Sequence, residues 1–339
     1  MRKLSKLIIA ILLCTVLTSN SLPFFPSNSL TDGTPAYAAV NNSLPLIFDE
    51  NSVDYMSYIP ELSCSKKVKK ELNIQNPDLS VAAASAILIT EEGKVLFRKN
   101  ATAPVFPGST TKLLTSLVVL DWCKTSEKIK IGESIKMIAG DSSTAGLKQG
   151  EVLDINTLLA AMLLPSGNDA AYVAAAYVGK KSLKNHKAKT MDAVKEFSRL
   201  MNEKAKELGA ENSCFITPDG YDAKGQYTTA YDMSRIALAA TNNSTILKIT
   251  KKCSLNATAS SGERHFWKNS NALLNKESEW YNSNAIGLKT GTTSMAGRCL
   301  ISAAKNEQGT VISVVMNSTM MGRWEDSNKL LNYGLKKLQ

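Results

Sequence analysis

The chain is poor in the residues that most often carry enzyme chemistry. It has two histidines in 339 residues, and neither His186, in a lysine-rich polar stretch, nor His265, beside Phe266 and Trp267, falls in a G-x-S-x-G or metal-ligand spacing. A Ser-His-Asp hydrolase and a histidine-based metal centre are therefore not expected. Six cysteines are present, none arranged as C-x-x-C, which argues against a zinc ribbon. With Cys14 in the leader described below, the remaining five, Cys64, Cys123, Cys214, Cys253 and Cys299, read as isolated packed thiols and not as a disulfide framework. Only 19 Gly and 10 Pro exclude collagen-like and low-complexity chains, and 21% charged with 44% apolar residues excludes a disordered one. No metal and no cofactor is called for.

Long apolar runs are missing too. Residues 7–17 are nearly unbroken in apolar character, but a bilayer-spanning helix needs about 20 such residues. With Arg2, Lys3 and Lys6 before the run and the A-x-A pattern Ala36-Tyr37-Ala38 after it, residues 1–38 read as a signal peptide cleaved after Ala38. The protein is then exported, to the cell wall or the outer face of the membrane. Cleavage takes away three basic residues and Asp32, so the formal charge of +10 falls by two and the chain stays basic. The lysines and arginines are scattered and no nucleic-acid motif accompanies them, so an anionic wall polymer or membrane surface is the expected neighbour and nucleic acid is not.

What is present is patterned. Residues 39–80 read as a polar lead-in arm containing the lysine-rich stretch 66–70, and residues 81–339 as one body. Residues 82–90 (AAASAILIT) and 94–98 (KVLFR) flank Glu91-Glu92-Gly93 as a β-hairpin, and residues 298–304 (RCLISAA) and 310–316 (TVISVVM) repeat the pattern around 306–309. Between the hairpins the chain turns helical: 113–122, 155–164 and 170–178 are apolar or Ala-rich, and 191–208 is amphipathic with Gly209 at its C-cap. A last helix spans about 325–338. The order predicts an α+β fold, an antiparallel sheet flanked by helices with an inserted, mainly helical lobe.

Three short elements recur in order. Ser109-Thr110-Thr111-Lys112 opens an apolar helix, Ser166-Gly167-Asn168 joins two helices, and Lys289-Thr290-Gly291 precedes the C-terminal hairpin. Residues three apart share a helix face, so the Lys112 amine can take the Ser109 proton if burial and a second cation, Lys289, keep it neutral. Each signal alone is weak. S-x-x-K also occurs at Ser63–Lys66 and S-x-N at Ser254–Asn256, but Ser63 lies in a polar arm with no apolar helix to bury its lysine.

The ordered set resembles the penicillin-recognising serine enzymes. Ala103 through Leu113, Ser166 through Ala171, residues 215–221 (FITPDGY) and residues 228–232 (TTAYD) are similar to the low-molecular-mass D-alanyl-D-alanine carboxypeptidases. The resemblance covers roughly residues 82–338 and implies that residues 81–339 are the catalytic domain, without the C-terminal β-rich domain that many relatives carry. It implies a β-lactamase/transpeptidase-like fold and removal of the terminal D-alanine from peptidoglycan stem peptides, with β-lactams as covalent inhibitors. It implies Ser109, Lys112 and Ser166 as catalytic residues, and Asn168, Lys289, Thr290, Gly291, Thr292 and Arg323 around the substrate, with the amides of Ser109 and Thr292 facing the oxyanion. Gly167 stands where class A β-lactamases usually have Asp, and no E-x-x-L-N follows, so efficient β-lactam hydrolysis is not implied. A transpeptidase or β-lactamase of the group, and a non-catalytic wall-binding relative, are the alternatives. Trp280, Tyr281 and Tyr221 are candidate cleft aromatics.

Overall fold

The computed structural model describes residues 55–339; the leader read at 1–38 and the first part of the arm lie outside them. In chain order the elements are α1 (Lys66–Leu72), β1 (Ser85–Thr90), β2 (Val95–Lys99), α2 (Lys112–Trp122), β3 (Lys128–Lys130), β4 (Val152–Asp154), α3 (Ile155–Leu163), α4 (Asn168–Ser182), α5 (Thr190–Glu207), α6 (Ala230–Asn242), α7 (Ser244–Thr250), β5 (Ser254–Thr258), β6 (Arg264–Lys268), β7 (Ala285–Thr293), β8 (Gly297–Asn306), β9 (Gly309–Ser318) and α8 (Gly322–Lys337).

The two predicted hairpins share one antiparallel sheet of order β2-β1-β9-β8-β7, with Ile87 opposite Val314 where the two ends of the chain meet. Alternation along the strands builds two cores, because successive side chains point to opposite faces. Val311 and Val315 of β9 meet Leu330, Leu331 and Trp324 of α8 on one face. Ile312, Val314 and Met316 point the other way, toward the helices inserted between β2 and β7. Burying each such aliphatic side chain contributes about 1.5–3 kcal/mol, which is why every residue of β1 is buried.

Apolar composition also explains α2. All its residues from Lys112 to Val119 are buried, so a helix apolar on every side threads the lobe and carries a lysine into the interior with it. The arm does not float. Val68 of α1 is buried in the lobe core, the Tyr55 ring meets Phe106 edge-on at 6.3 Å, and Glu71 accepts from Tyr231 Oη at 2.7 Å and pairs with Arg235.

Some elements exceed the sequence reading. β7, which carries Lys289-Thr290-Gly291, is a full strand paired to β8, although Gly287 and Gly291 weaken its β signal. Helix α6 begins at the TTAYD segment, where Thr229 caps it by accepting from Asp232 N at 3.0 Å. The β3–β4 pair, whose three-residue strands are separated by residues 131–151, and the β5–β6 hairpin are too short to announce themselves.

Candidate active site

The turn that carries Ser109 is built by backbone contacts that only glycine permits. Residues Gly108–Thr111 form a 3-10 turn leading into α2, and Gly108 has φ +52°. A Cβ on Gly220 (φ +81°) would stand 1.9 Å from the Gly108 carbonyl oxygen, and one on Gly108 would stand 3.4 Å from Thr292 N. The FITPDGY loop, the Ser109 turn and β7 thus close on one another through bare backbone. Thr110 Oγ1 donates to Pro107 O at 2.6 Å, and Thr115 Oγ1 to Pro218 O at 2.6 Å, which fixes the turn and the loop against α2.

Lys112 is the first residue of α2 and its side chain is fully buried. Its Nζ lies 2.8 Å from Ser109 Oγ, 2.7 Å from Asn168 Oδ1 and 2.9 Å from the Asp219 carbonyl oxygen. Burial pushes this amine down to about 8, against a partial pull upward from Asp219 and Asp169. Lys289, also fully buried, donates from Nζ to Thr290 O at 2.9 Å and Oγ1 at 3.3 Å. Burial first, then the neighbouring charges of Lys112 and Arg323, hold it well below the ordinary lysine range. Two buried ammonium groups side by side oppose each other's protonation.

Ser166-Gly167-Asn168 forms the bend between α3 and α4. Ser166 sits in the left-handed region (φ 65°), a conformation costing about 1 kcal/mol for a non-glycine residue. The bend is held by Gly167 N donating to Ala161 O and Asn168 N to Ser143 O, at 3.2 and 2.8 Å. Gly167 leaves no space for the Asp of the class A pattern, since a Cβ there would meet Ala161 O at 2.7 Å and Ala145 Cβ at 2.8 Å. Asn168 Nδ2 donates to Ser142 Oγ at 2.9 Å. Buried Asp169 accepts from the amides of Ala145 and Leu147, pinning the 141–147 loop against α4.

These parts line one cleft of about 660 Å³, which takes in Ser109, Ser166, Asn168, Thr290, Thr292 and Arg323 from the expected set. Lys112 and Lys289 lie beneath its floor. Arg323, half-buried at the start of α8, donates from Nη1 to Thr292 Oγ1 at 3.2 Å and stacks over the Trp324 ring at 4.3 Å. Gly291 lets β7 approach the turn, with Thr110 Cγ2 and Pro107 O 3.2 and 3.3 Å from where its Cβ would be. Sequence reasoning passed over Asp219, whose carbonyl oxygen holds Lys112, and over Asp141, Ser142, Ser143, Ser270 and Arg298, which line the cleft. The Pro218-Asp219-Gly220 turn was a usable signal for the first; the others sit in loops with no pattern of their own.

Other candidates resolve as structure. Tyr221 lines the cleft and donates to Asp141 Oδ1 at 2.7 Å, but Trp280 packs on the α8 side of the sheet and Tyr281 is exposed. His265 stacks on Trp267 at 5.1 Å and lies 3.0 Å from Glu151 Oε2. The five cysteines within the described residues are free; Cys253 is exposed, so it is not packed as expected. Asp232 of the TTAYD segment accepts from Asn212 N and Ser213 Oγ, away from the cleft.

A buried lysine on a serine, in a cleft floored by an edge strand, defines a serine acyl-transfer enzyme of the penicillin-recognising fold. Residues 70–320 match the family described as D-alanyl-D-alanine carboxypeptidase, and the chain belongs to it. It is 34% identical over 252 residues to the D-alanyl-D-alanine carboxypeptidase of Streptomyces sp. (strain K15), covering 71% of this chain and 83% of that one. It is also 34% identical to D-alanyl-D-alanine carboxypeptidase DacA of Escherichia coli (strain K12), covering 76% of this chain and 61% of the relative. Of DacF of Bacillus subtilis (strain 168), at 29% identity, it spans 64%. The crystal structure of the Streptomyces K15 DD-transpeptidase superimposes with a TM-score of 0.69 at 32% identity, over 78% of this chain and all of that one. The protein is accordingly a hydrolase of the DD-carboxypeptidase family with the DD-peptidase fold. Among the described residues no helix is long and apolar enough to cross a membrane.

Proposed function

We propose that the cleft removes the terminal D-alanine from peptidoglycan stem peptides ending in D-Ala-D-Ala, with Ser109 as nucleophile and Lys112 as its base. The observation that carries this reading is the set of three partners around Lys112 Nζ. A neutral amine has two N–H bonds and one lone pair. Asn168 Oδ1 and Asp219 O accept the two N–H bonds, which leaves the lone pair on the Ser109 hydroxyl hydrogen.

Ser109 Oγ attacks the carbonyl of the penultimate residue, and its proton passes to Lys112. The C–N bond breaks while Ser166 relays a proton to the leaving amine, and free D-alanine departs. Water then attacks the ester, returns a proton to the site and releases the shortened peptide, restoring Ser109. Backbone amides of Ser109 and Thr292 stabilise the oxyanion; removing one such donor costs about 3–4 kcal/mol of barrier. The substrate's carboxylate lies against Thr290, Thr292 and Arg323, with Gly291 keeping β7 close.

Charge couples the two ends of the site. At pH 7 an amine titrating at about 8 is neutral about a tenth of the time. A bound carboxylate beside Lys289 and Arg323 favours the proton on Lys289, and repulsion across the floor then favours the neutral Lys112. β-Lactams enter by the same attack, and their leaving amine stays tethered, so the acyl-enzyme persists.

Exchange of water for an amine acceptor would make the same acyl-enzyme a transpeptidase; the Streptomyces K15 protein carries both names. Residues 1–38 act as an export signal, residues 81–339 form the catalytic body, and the basic surface faces anionic wall polymers. The test is D-alanine release from diacetyl-L-Lys-D-Ala-D-Ala, with and without an acceptor amine. Release that is lost in Ser109→Ala supports the reading; no release, or release by Ser109→Ala, contradicts it.

A further inference from the structure

The cleft is lined by charges of both signs. Arg298 and Arg323 line it on the side of β8 and α8, and neither is in an ion pair among the described residues. One acidic residue lines it, Asp141, on the loop that Asp169 pins against α4. Two other carboxylates are close by, and both are committed inward. Asp222 accepts from Thr293 Oγ1 at 2.6 Å and Met295 N at 3.0 Å, and Asp219 is buried with Oδ1 on Tyr221 N.

Asp141 differs from them. It is exposed, and it accepts a hydrogen bond from Tyr221 Oη through Oδ1, which fixes the carboxylate at the rim. Holding the carboxylate in advance reduces the ordering cost of an ion pair formed there. In a basic chain of formal charge +10, a single tethered acid at the mouth of the cleft selects for positive charge in what enters.

We propose that Asp141 is a specificity residue that pairs with a cationic side chain on the residue preceding D-Ala-D-Ala, with Tyr221 as its positioning residue. The proposal rests on the carboxypeptidase reading above. The terminal carboxylate goes to Arg323, Ser109 meets the scissile carbonyl, and an amine-bearing side chain upstream reaches Asp141. Stem peptides whose third residue is a diamino acid with a free amine are the class this favours over peptides with that amine acylated or amidated away.

The experiment compares kcat/KM for D-alanine release from Nα-acetyl-L-Lys-D-Ala-D-Ala, with its side-chain amine free, and from diacetyl-L-Lys-D-Ala-D-Ala. The wild-type protein should prefer the free amine by about two- to fivefold at low salt, the size an exposed ion pair supports, and the preference should shrink at 1 M salt. Asp141→Asn should bring the ratio to about one, and Asp141→Lys should invert it. A ratio unchanged in both variants, or a wild-type preference for the acylated peptide, overturns the proposal. Release from neither peptide overturns the carboxypeptidase reading itself, and this proposal with it.

Discussion

The chain carries S-x-x-K three times, once inside strand β8 at Ser302–Lys305 and twice where the lysine is the first residue of an α-helix. Lys66 opens α1 and is exposed, with Ser65 at the cap accepting from Val68 N at 3.3 Å. Lys112 opens α2 and meets no solvent. The positive end of a helix disfavours a cation in either case, but by only a few tenths of a kcal/mol in water. Burial makes the difference, because α1 is a polar helix laid on the surface and α2 is an apolar helix threaded through the lobe. The same tetrad is a helix start at one site and, in this account, a base and nucleophile at the other. A motif thus specifies reach; its surroundings specify basicity.

The comparison can be broken most sharply at Ser109 and Lys112. Ser109→Ala should abolish the covalent penicillin adduct seen by intact-mass measurement. Lys112→Ala should slow acylation by about 10³-fold, within the range of general-base contributions. Gly220→Ala comes next, since it sets a Cβ against the Gly108 carbonyl at positive φ. It should cost about 2–4 kcal/mol in denaturant unfolding and about 10²-fold in acylation, through displacement of the Ser109 turn. Arg323→Leu should lower kcat/KM about 10- to 100-fold for peptides with a free terminal carboxylate, the value of a charge-assisted hydrogen bond, and much less for the corresponding amide. At the small end, Lys66→Ala should leave acylation unchanged. Loss of acylation in Lys66→Ala would remove the distinction between the two tetrads.

Much of this was legible in the residues. The hairpins announced themselves as short apolar runs about Gly-containing turns, and they do pair across the chain ends. The S-x-x-K, S-x-N and K-T-G elements do converge on one cleft. What stayed hidden depends on tertiary contact. Asp219 holds Lys112 through a backbone oxygen, a role no side-chain pattern can advertise. Asp141 and Arg298 come to the cleft from loop and strand positions that look like ordinary surface. β7 was obscured by the two glycines that allow it to lie so close to its neighbours.

The measurement that tests the central claim most directly is the rate of penicillin acylation from pH 5 to pH 9, followed by intact mass with peptide mapping of the adduct. Burial lowers the Lys112 amine, so protonation on going down through about pH 8 removes the base. The account predicts an adduct on Ser109 whose formation slows about tenfold per pH unit below that value and levels above it. An adduct on another residue, or acylation as fast at pH 5 as at pH 8, would contradict it.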